Sequence, residues 1–496
     1  MTAMSRTERI TVTEQGIPDV FSSHLADGFR LRMVACHEDE SGFRLVYVLL
    51  RSSDDRRVEL VLPVSRDEPR IPSLARLDYA VSRFEREVRD LYGITPVDHP
   101  LPRRIVRHGH WPEDWHPMLR TTEPRPAFSE DFGSFPFLSV EGDGVYEIPV
   151  GPIHAGLIEP GHFRFSVVGE TILRFKARLW FVHRGLEQLF EGRRPGDALE
   201  IAERVSGDTA VGHALAFAMA VEEAAAIDVS QEDLLVRALL LELERMHNHI
   251  ADIGAMANDV GYGLMNAHAL RIRERMLRMN EQVTGHRLLR GGVLIGGSRV
   301  LDLPDTKAVA ALAQEVAELA ELTLSNATVR DRFGGTSVLD LESARRLDAL
   351  GYVARASGRD IDARRDHPFI DLGDALEVVV ESAGDVMSRY LLRVRETVVS
   401  SRIIADVVRR LDGHTGSGQA VQPARAGAGL GFVEGWRGLI SHRVELAADG
   451  RLTRTKIVDP SFFNWTALPV ALADTIVPDF PLTNKSFNQS YAGNDL

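Results

Sequence analysis

Cysteine is almost absent: the 496-residue chain has one, Cys36. That excludes an intramolecular disulfide. It also excludes a zinc site of several cysteines, a thiolate-held iron–sulfur cluster, or a four-thiolate nickel site built from this chain alone. Basic residues are in short supply, 58 against 71 acidic, for a net charge of −13. Nucleic-acid binding needs a clustered positive surface, so no nucleic-acid partner is expected. No apolar run approaches the roughly 20 residues of a membrane span; the stretch around Ala238–Leu243 is interrupted by Glu242 and Glu244. Met1–Gln15 is polar and lacks the apolar segment of an export signal. The expected location is therefore the cytoplasmic side of a membrane, peripheral and held by other chains, or the cytosol. Internal repeats, a GxxxxGK[ST] loop and an HExxH helix are missing as well.

What is present is ordinary globular material, 44% hydrophobic and 26% charged. The length suggests about three domains at roughly 150 residues each. Phe43–Leu50 and Arg57–Val64 are Val/Leu-rich runs bounded by breakers and read as paired strands. Leu77–Tyr92 has helical spacing of apolar residues. Pro-containing segments from Thr95 to Phe137 read as an extended docking loop. Tyr146–Val168 has strand character. Ala210–Ala225, Gln231–Met256, Ala267–Val283, Thr306–Arg330 and Val379–Leu411 are rich in helix formers and predict long helices. Gly413–Gly431 reads as a loop, and a last α+β segment opens at Phe432.

The generic motifs are weak. Gly427–Gly431 (GAGLG) is a poor dinucleotide fingerprint and is expected to be a flexible loop. His108, His110 and His116 sit among Trp and Pro, which reads as a docking segment rather than a metal site. His247 and His249, two apart on a helix, face different sides; one is expected in the core and the other at a solvated or interface position.

Longer runs are specific. FEREVRDLYGI (Phe84–Ile94) with HPLPRR (His99–Arg104) resembles the signature of the 30-kDa subunit of complex I. GPIHAGLIEPGHFRF from Gly151, HRGLE from His183, ERVSGDTAVGHALAFAMAVE from Glu203 and LLLELERMHNHIADIG from Leu239 resemble the complex I 49-kDa subunit, a relative of NiFe-hydrogenase large subunits. RIRERMLRMNEQVTGHR, IGGSR, RASGRDIDARRDHPF, VEGWRG and DPSFFNWTALP continue the match in order. The fused order resembles the large subunit of membrane-bound group 4 hydrogenases of the formate hydrogenlyase type. The resemblance implies an α+β chain: a small N-terminal α/β domain, then a hydrogenase-large-subunit-like domain built on a bundle of long helices with peripheral strands. The divisions are 1–120, a linker or docking segment 121–145, and 146–496.

The departures bear on function. Hydrogenases of the family hold nickel and iron with two CxxC pairs, which fall here at Ser206 and Thr209, and at Ser490 and Gly493. Soft thiolates are what nickel needs, so no NiFe centre is expected. The chain ends three residues after Gly493, so no nickel-dependent maturation step is implied. Glu159 matches a magnesium ligand, but the second ligand position is Leu496, so the metal expectation is none. Complex I presents a Tyr and a His, the latter paired with an Asp, to its quinone. The Tyr position aligns with Gly207; His154 and His162 remain, and Asp259 matches the Asp. A carboxylate fixes the tautomer of its imidazole and raises its basicity, which suits proton delivery to a reduced acceptor. Arg437 matches an arginine that reaches the cavity in both branches, with an ion pair to Glu434 as the alternative. His213 lies one helical turn past Thr209, and Glu187 is placed near the same region.

The resemblance thus implies a subunit of a membrane-associated oxidoreductase complex. An iron–sulfur small subunit would deliver electrons, a quinone or another acceptor would receive them, and membrane partners would translocate ions. The expected catalytic set is Arg437, His154, His162, Asp259 and His213. The expected cavity lining is Ser206, Gly207, Thr209, Ser490, Gly493 and Glu187. No cofactor is expected on this chain, and NAD does not follow from it. The alternative is a structural or coupling subunit of the same kind of complex.

Overall fold

Near-continuous Val, Leu and Tyr in the N-terminal third produce strands buried on both faces. In the computed structural model, which describes residues 7–122, 126–130, 133, 135–156 and 158–496, β1 (Thr7–Thr11), β2 (Arg30–Asp39), β3 (Gly42–Arg51) and β4 (Arg56–Ser65) form one sheet ordered β1-β4-β3-β2. β1 runs parallel to β4 and the other pairs are antiparallel. Part of the polar N-terminal stretch Met1–Gln15 (residues 1–6) and of the 121–145 linker (residues 123–125, 131–132 and 134) lies outside the described residues. Helix α1 (Ile17–Ala26) and helix α2 (Tyr79–Tyr92) belong to the same unit, with the short parallel pair β5 (Arg70–Pro72) and β6 (Thr95–Val97). Asp78 caps α2 by accepting the Ala80 N–H, and Gly93, at φ +76°, ends it. A Cβ at Gly93 would also strike the His116 ring at 2.9 Å.

The second unit opens with the antiparallel sheet β7 (Val145–Val150), β8 (His162–Val168) and β9 (Thr171–Arg178). Short helices α3 (Leu186–Phe190) and α4 (Pro195–Ala202) lead into α5 (Ala210–Ala225), α6 (Gln231–Asp259) and α7 (Gly263–Thr284). After the small pair β10 (Val293–Leu294) and β11 (Gly297–Ser298) comes α8 (Thr306–Ser325), which Asn326 separates from α9 (Ala327–Phe333) by capping the latter. Short helices α10 (Leu341–Arg346), α11 (Gly351–Ala356) and α12 (Ala363–Asp366) precede the long α13 (Val386–Leu411). The central antiparallel sheet is β12 (Gly427–Gly435), β13 (Gly438–Leu446) and β14 (Leu452–Val458). Helices α14 (Ser461–Asn464), α15 (Leu468–Ala471), α16 (Phe480–Phe487) and α17 (Tyr491–Asp495) finish the chain. Long helices α6, α7, α8 and α13 pack as the expected bundle, and α5 lies on β12 and β13. Among the described residues no helix is long and apolar enough to cross a membrane.

One expectation is overturned here. Gly427–Gly431 is no flexible loop but the first half of β12, its residues paired in register with β13. Added Cβ atoms at Gly427, Gly429 and Gly431 would lie 2.0, 2.2 and 1.9 Å from the carbonyl oxygens of Ala224, Ala220 and Ala216. The alternating glycines let the strand lie directly on the backbone of α5. We expect Gly429→Val to force strand and helix apart and to cost at least about 3 kcal/mol, read as a lowered denaturant midpoint with native-like secondary structure at zero denaturant.

The 30-kDa-like signature is explained by where α2 docks. Phe84 stacks on Phe462 at 4.6 Å, Glu87 pairs with Lys456 at 2.7 Å, and Arg83 donates to Asn494 at 2.8 Å. Asp90 accepts the backbone N–H groups of Ile105, Val106 and Arg107, and so fixes the segment after HPLPRR. The two units are further joined by Arg443 to Glu59 at 2.7 Å and Arg44 to Glu445 at 2.9 Å.

Candidate functional site

The loop before α5 and the C-terminal tail converge. Ser206 and Ser490, 284 residues apart, have hydroxyls 2.8 Å from each other. Ser206 donates its hydrogen to Asp208 Oδ1 at 2.9 Å, so Ser490 donates to Ser206, and Ser490 accepts the Gly493 N–H at 2.9 Å. Thr209 also donates to Asp208 Oδ1, at 3.0 Å. The four positions that carry cysteine in hydrogenases thus meet around one point. Their donor set is three neutral hydroxyls and a glycine, with no thiolate, and it does not fit nickel. Gly493 cannot gain a side chain without displacing Asp459, whose Cγ lies 2.6 Å from where its Cβ would be.

Thr209 is the N-cap residue of α5 yet makes no side-chain cap bond. Glu244 of α6 does that work, accepting the Val211 and Gly212 N–H groups at 2.7 and 3.0 Å. The threonine hydroxyl is thereby left to the site. Burial, with Asp208 nearby, pushes the Glu244 carboxyl up to about 8 despite those two donors.

Arg437, at the β12–β13 turn, forms a two-pronged ion pair with Asp208, NH1 to Oδ1 and NH2 to Oδ2, each 2.6 Å. Its Nε donates to Asn488 O at 2.6 Å, and its guanidinium lies 4.0 Å from the Trp436 ring centroid. Burial alone would raise the Asp208 pKa; the Arg437 charge beside it and the donors Arg437, Ser206 and Thr209 hold it down to about 2. The Asp208 backbone carbonyl is pinned by Asn248 at 2.7 Å and Trp436 Nε1 at 3.2 Å. The alternative partner Glu434 is corrected: it pairs with Arg355 at 2.8 Å.

Ser206, Asp208, Arg437, Asn488 and Ser490 line a cavity of about 620 Å³. Its walls are largely apolar, with Val150, Ile158, Phe163, Phe165, Val477 and Phe480, and the wall also holds His154, Glu159, Asp259 and Lys485. Gly207 faces the space: an added Cβ there meets nothing within 4 Å.

The structure gathers Arg437, His154, Asp259, Ser206, Gly207 and Ser490 in this wall; Thr209 and Gly493 bond to its residues Asp208 and Ser490 without lining it, and His162, His213 and Glu187 lie elsewhere. His162 faces a second cavity, of about 720 Å³, beside Phe137 and Trp180. The expected His–Asp259 pairing is replaced by backbone contacts: His154 bonds Gly161 O at 2.7 Å and His162 bonds Gly151 O at 3.1 Å. A His–Asp pair does exist, behind the site: fully buried His213 bonds Asp459 at 2.9 Å and His442 at 3.0 Å. Glu187 is buried in ion pairs with Arg454 and Lys456, at 2.7 and 3.0 Å, away from the cavity. Glu159 accepts the Ala492 N–H at 2.9 Å, so its carboxylate braces the tail. His247 and His249 are both buried, which corrects the division between core and surface: His249 bonds Glu396 at 2.7 Å, and His247 bonds Leu243 O at 3.1 Å. His108 bonds Trp180 O and His116 bonds Asp90 O, and no metal-holding group of three or more His, Cys, Asp or Glu occurs among the described residues. Sequence reasoning missed Asp208 as the partner of Arg437, Asp459 as the partner of His213, and Glu244 as the cap. Only Asp208 carried a signal, its place inside the Ser206–Thr209 spacing.

Comparison with known proteins shows what the chain is similar to. Residues 10–127 match the family described as respiratory-chain NADH dehydrogenase, 30 Kd subunit, and 252–426 match its 49 Kd subunit. Residues 184–253 match the nickel-dependent hydrogenase family. Formate hydrogenlyase subunit 5 of Escherichia coli (strain K12) is 33% identical over 468 residues, covering 92% of this chain and 82% of the relative. Hydrogenase-4 component G of the same organism is 32% identical, covering 98% and 87%. The C/D subunit of NADH-quinone oxidoreductase from Phocaeicola vulgatus is 28% identical, covering 74% and 76%. A chain in the structure of a membrane-bound sulfane sulfur reductase, an archaeal respiratory membrane complex, superposes with a TM-score of 0.65 at 23% identity, covering 71% of this chain and 99% of that one, which shows a shared fold.

Proposed function

The chain belongs to the family of formate hydrogenlyase subunit 5 and hydrogenase-4 component G, and on that premise we propose that it is the cavity-bearing subunit of a membrane-associated, complex I-like oxidoreductase complex. Electrons arrive from an iron–sulfur small subunit and reduce a quinone or a similar acceptor in the cavity. Membrane partners couple that step to ion translocation, and the chain sits peripherally on the cytoplasmic side. The observation that carries the reading is the cavity itself: about 620 Å³, lined by apolar side chains together with hydroxyls and the Arg437–Asp208 pair. Such a volume and lining suit a small apolar ligand with a polar head.

Reduction of a quinone to a quinol takes up two electrons and two protons. Of the ionisable groups in the wall, His154 and Asp259 are the two that match the proton-delivering pair the resemblance implies. The Gly161 carbonyl takes the His154 Nε2–H, which leaves Nδ1 free to exchange a proton. Burial raises the Asp259 pKa, against the nearby Lys485 charge. Arg437 holds Asp208 in the cavity wall through its two-pronged ion pair, and so fixes the shape and charge of that part of the site.

The test is to purify the intact complex through a tag on this chain, then measure its metal content and its reduction of decylubiquinone. We expect no stoichiometric nickel, and reduction that falls about 100-fold or more in Arg437→Ala, in line with the loss of a positioned charge, with the set of assembled partners unchanged. Stoichiometric nickel would overturn the thiolate-free reading of the centre. Full assembly with no reduction by either form would assign the chain a structural or coupling role.

A further inference from the structure

The strongest anion-binding group in the cavity wall is covered by the chain's own carboxylate. The Arg437 side chain is 4% exposed while that of Asp208 is 38% exposed, so Asp208 stands between the guanidinium and the open space. The pairing is the two-pronged geometry in which a guanidinium holds a free carboxylate or oxyanion. Ser206 and Thr209 complete the cradle by donating to Asp208 Oδ1 at 2.9 and 3.0 Å. Asn248 and Trp436 anchor the Asp208 backbone, and the carboxylate cannot swing clear without breaking its bonds to Arg437, Ser206 and Thr209. The remaining ionisable wall groups do not offset this: Lys485 shares the wall with Glu159 and Asp259. An entering anion meets a negative charge first, and reaches Arg437 only by displacing it.

We propose that Asp208 is a specificity-determining residue: by occupying the anion site of Arg437 it restricts the cavity to a neutral acceptor and rejects carboxylates and oxyanions. This rests on the reading of the cavity as an acceptor site. The experiment is titration calorimetry on the purified complex with three probes: neutral decylubiquinone, and the anions acetate and phosphate. Wild type should bind neither anion at millimolar concentration. Asp208→Asn keeps the shape and removes the charge, and should bind the anions about tenfold or more tightly, as expected for removing a like charge a few ångströms away. The gain should vanish in Asp208→Asn/Arg437→Gln. Anion binding by wild type that Arg437→Gln abolishes would overturn the proposal, as would an assembled Asp208→Asn complex with no gain. If Asp208→Asn does not assemble, wild type decides the matter: competitive inhibition of acceptor reduction by phosphate overturns the proposal, and insensitivity supports it. The neutral probe tests the parent reading separately. If decylubiquinone does not bind but Asp208→Asn gains the anions, the quinone assignment falls and the role of Asp208 stands.

Discussion

Gly207→Trp should abolish acceptor reduction while leaving the complex assembled. Gly207 lies on the exposed turn before α5, and a Cβ there meets nothing within 4 Å. The substitution therefore costs little in folding, and burial of its apolar surface favours the indole rotamers that enter the cavity Gly207 lines. A Trp side chain covers roughly 150–250 Å² of surface when it packs, and the cavity's partly exposed apolar residues Val150, Ile158 and Val477 are the surface able to receive it. A displacement of the reacting groups by even an ångström costs on the order of 100-fold in rate, so a bulky plug should cost at least about that much. Gly207→Ala adds a methyl group to open space and should retain most of the activity. The measurement is decylubiquinone reduction per assembled complex, with the ratios of its subunits checked in parallel. Unchanged activity in Gly207→Trp would place the acceptor outside this cavity.

The convergence of Ser206, Thr209, Ser490 and Gly493 was legible because each position falls inside a run whose neighbours are recognisable. The helix bundle was legible from periodicity and composition. What could not be read was how charges pair in three dimensions. Arg437 has Glu434 three residues before it, yet β12 and β13 turn the two side chains to different partners, Asp208 and Arg355. The charges of α6 look like an ordinary polar face in sequence, but Glu242, Glu244 and Arg245 are all within 1% of full burial because α6 is covered by α5, α7 and α13. GAGLG misled for a related reason. Glycine there serves close approach of the strand to α5, a tertiary requirement that resembles loop chemistry when only the chain is in view.

That buried charge is where the largest loss of stability is expected. Arg355 donates to Glu396 at 2.6 Å and to Glu434 at 2.8 Å, and lies 3.6 Å from Asp362. Arg245 and Arg364 complete the cluster, with Glu242 as the fourth carboxylate, 3.2 Å from each of them. Four carboxylates thus face three guanidiniums. Burial, and then the like charge of Asp362, push the Glu434 pKa up against the pull of Arg355 and Arg245, which makes Glu434 the carboxyl of the four most readily neutralised. Burial also lowers the His249 pKa, so the imidazole on Glu396 does not supply the missing charge. Arg355→Met leaves four buried carboxylates on two guanidiniums and should cost about 3–5 kcal/mol, the usual result of breaking a buried pair from one side. The pH dependence has a definite sign. Carboxyls forced toward the neutral form have folded-state pKa values above their unfolded ones, so the folded variant holds protons that the unfolded chain has released. Its stability relative to wild type should therefore fall as pH rises from the unfolded carboxyl range near 4.5 toward neutrality. Glu434→Gln removes the carboxyl whose charge the cluster holds least well and keeps an oxygen to accept from Arg355, so it should cost less than Arg355→Met. Denaturant unfolding of both variants and wild type at about pH 5.5 and about pH 8, on either side of the window in which such carboxyls release their protons, decides it. Equal losses in the two variants, or a deficit of Arg355→Met that shrinks as pH rises, would show that Glu434 is not the cluster's most readily neutralised carboxyl.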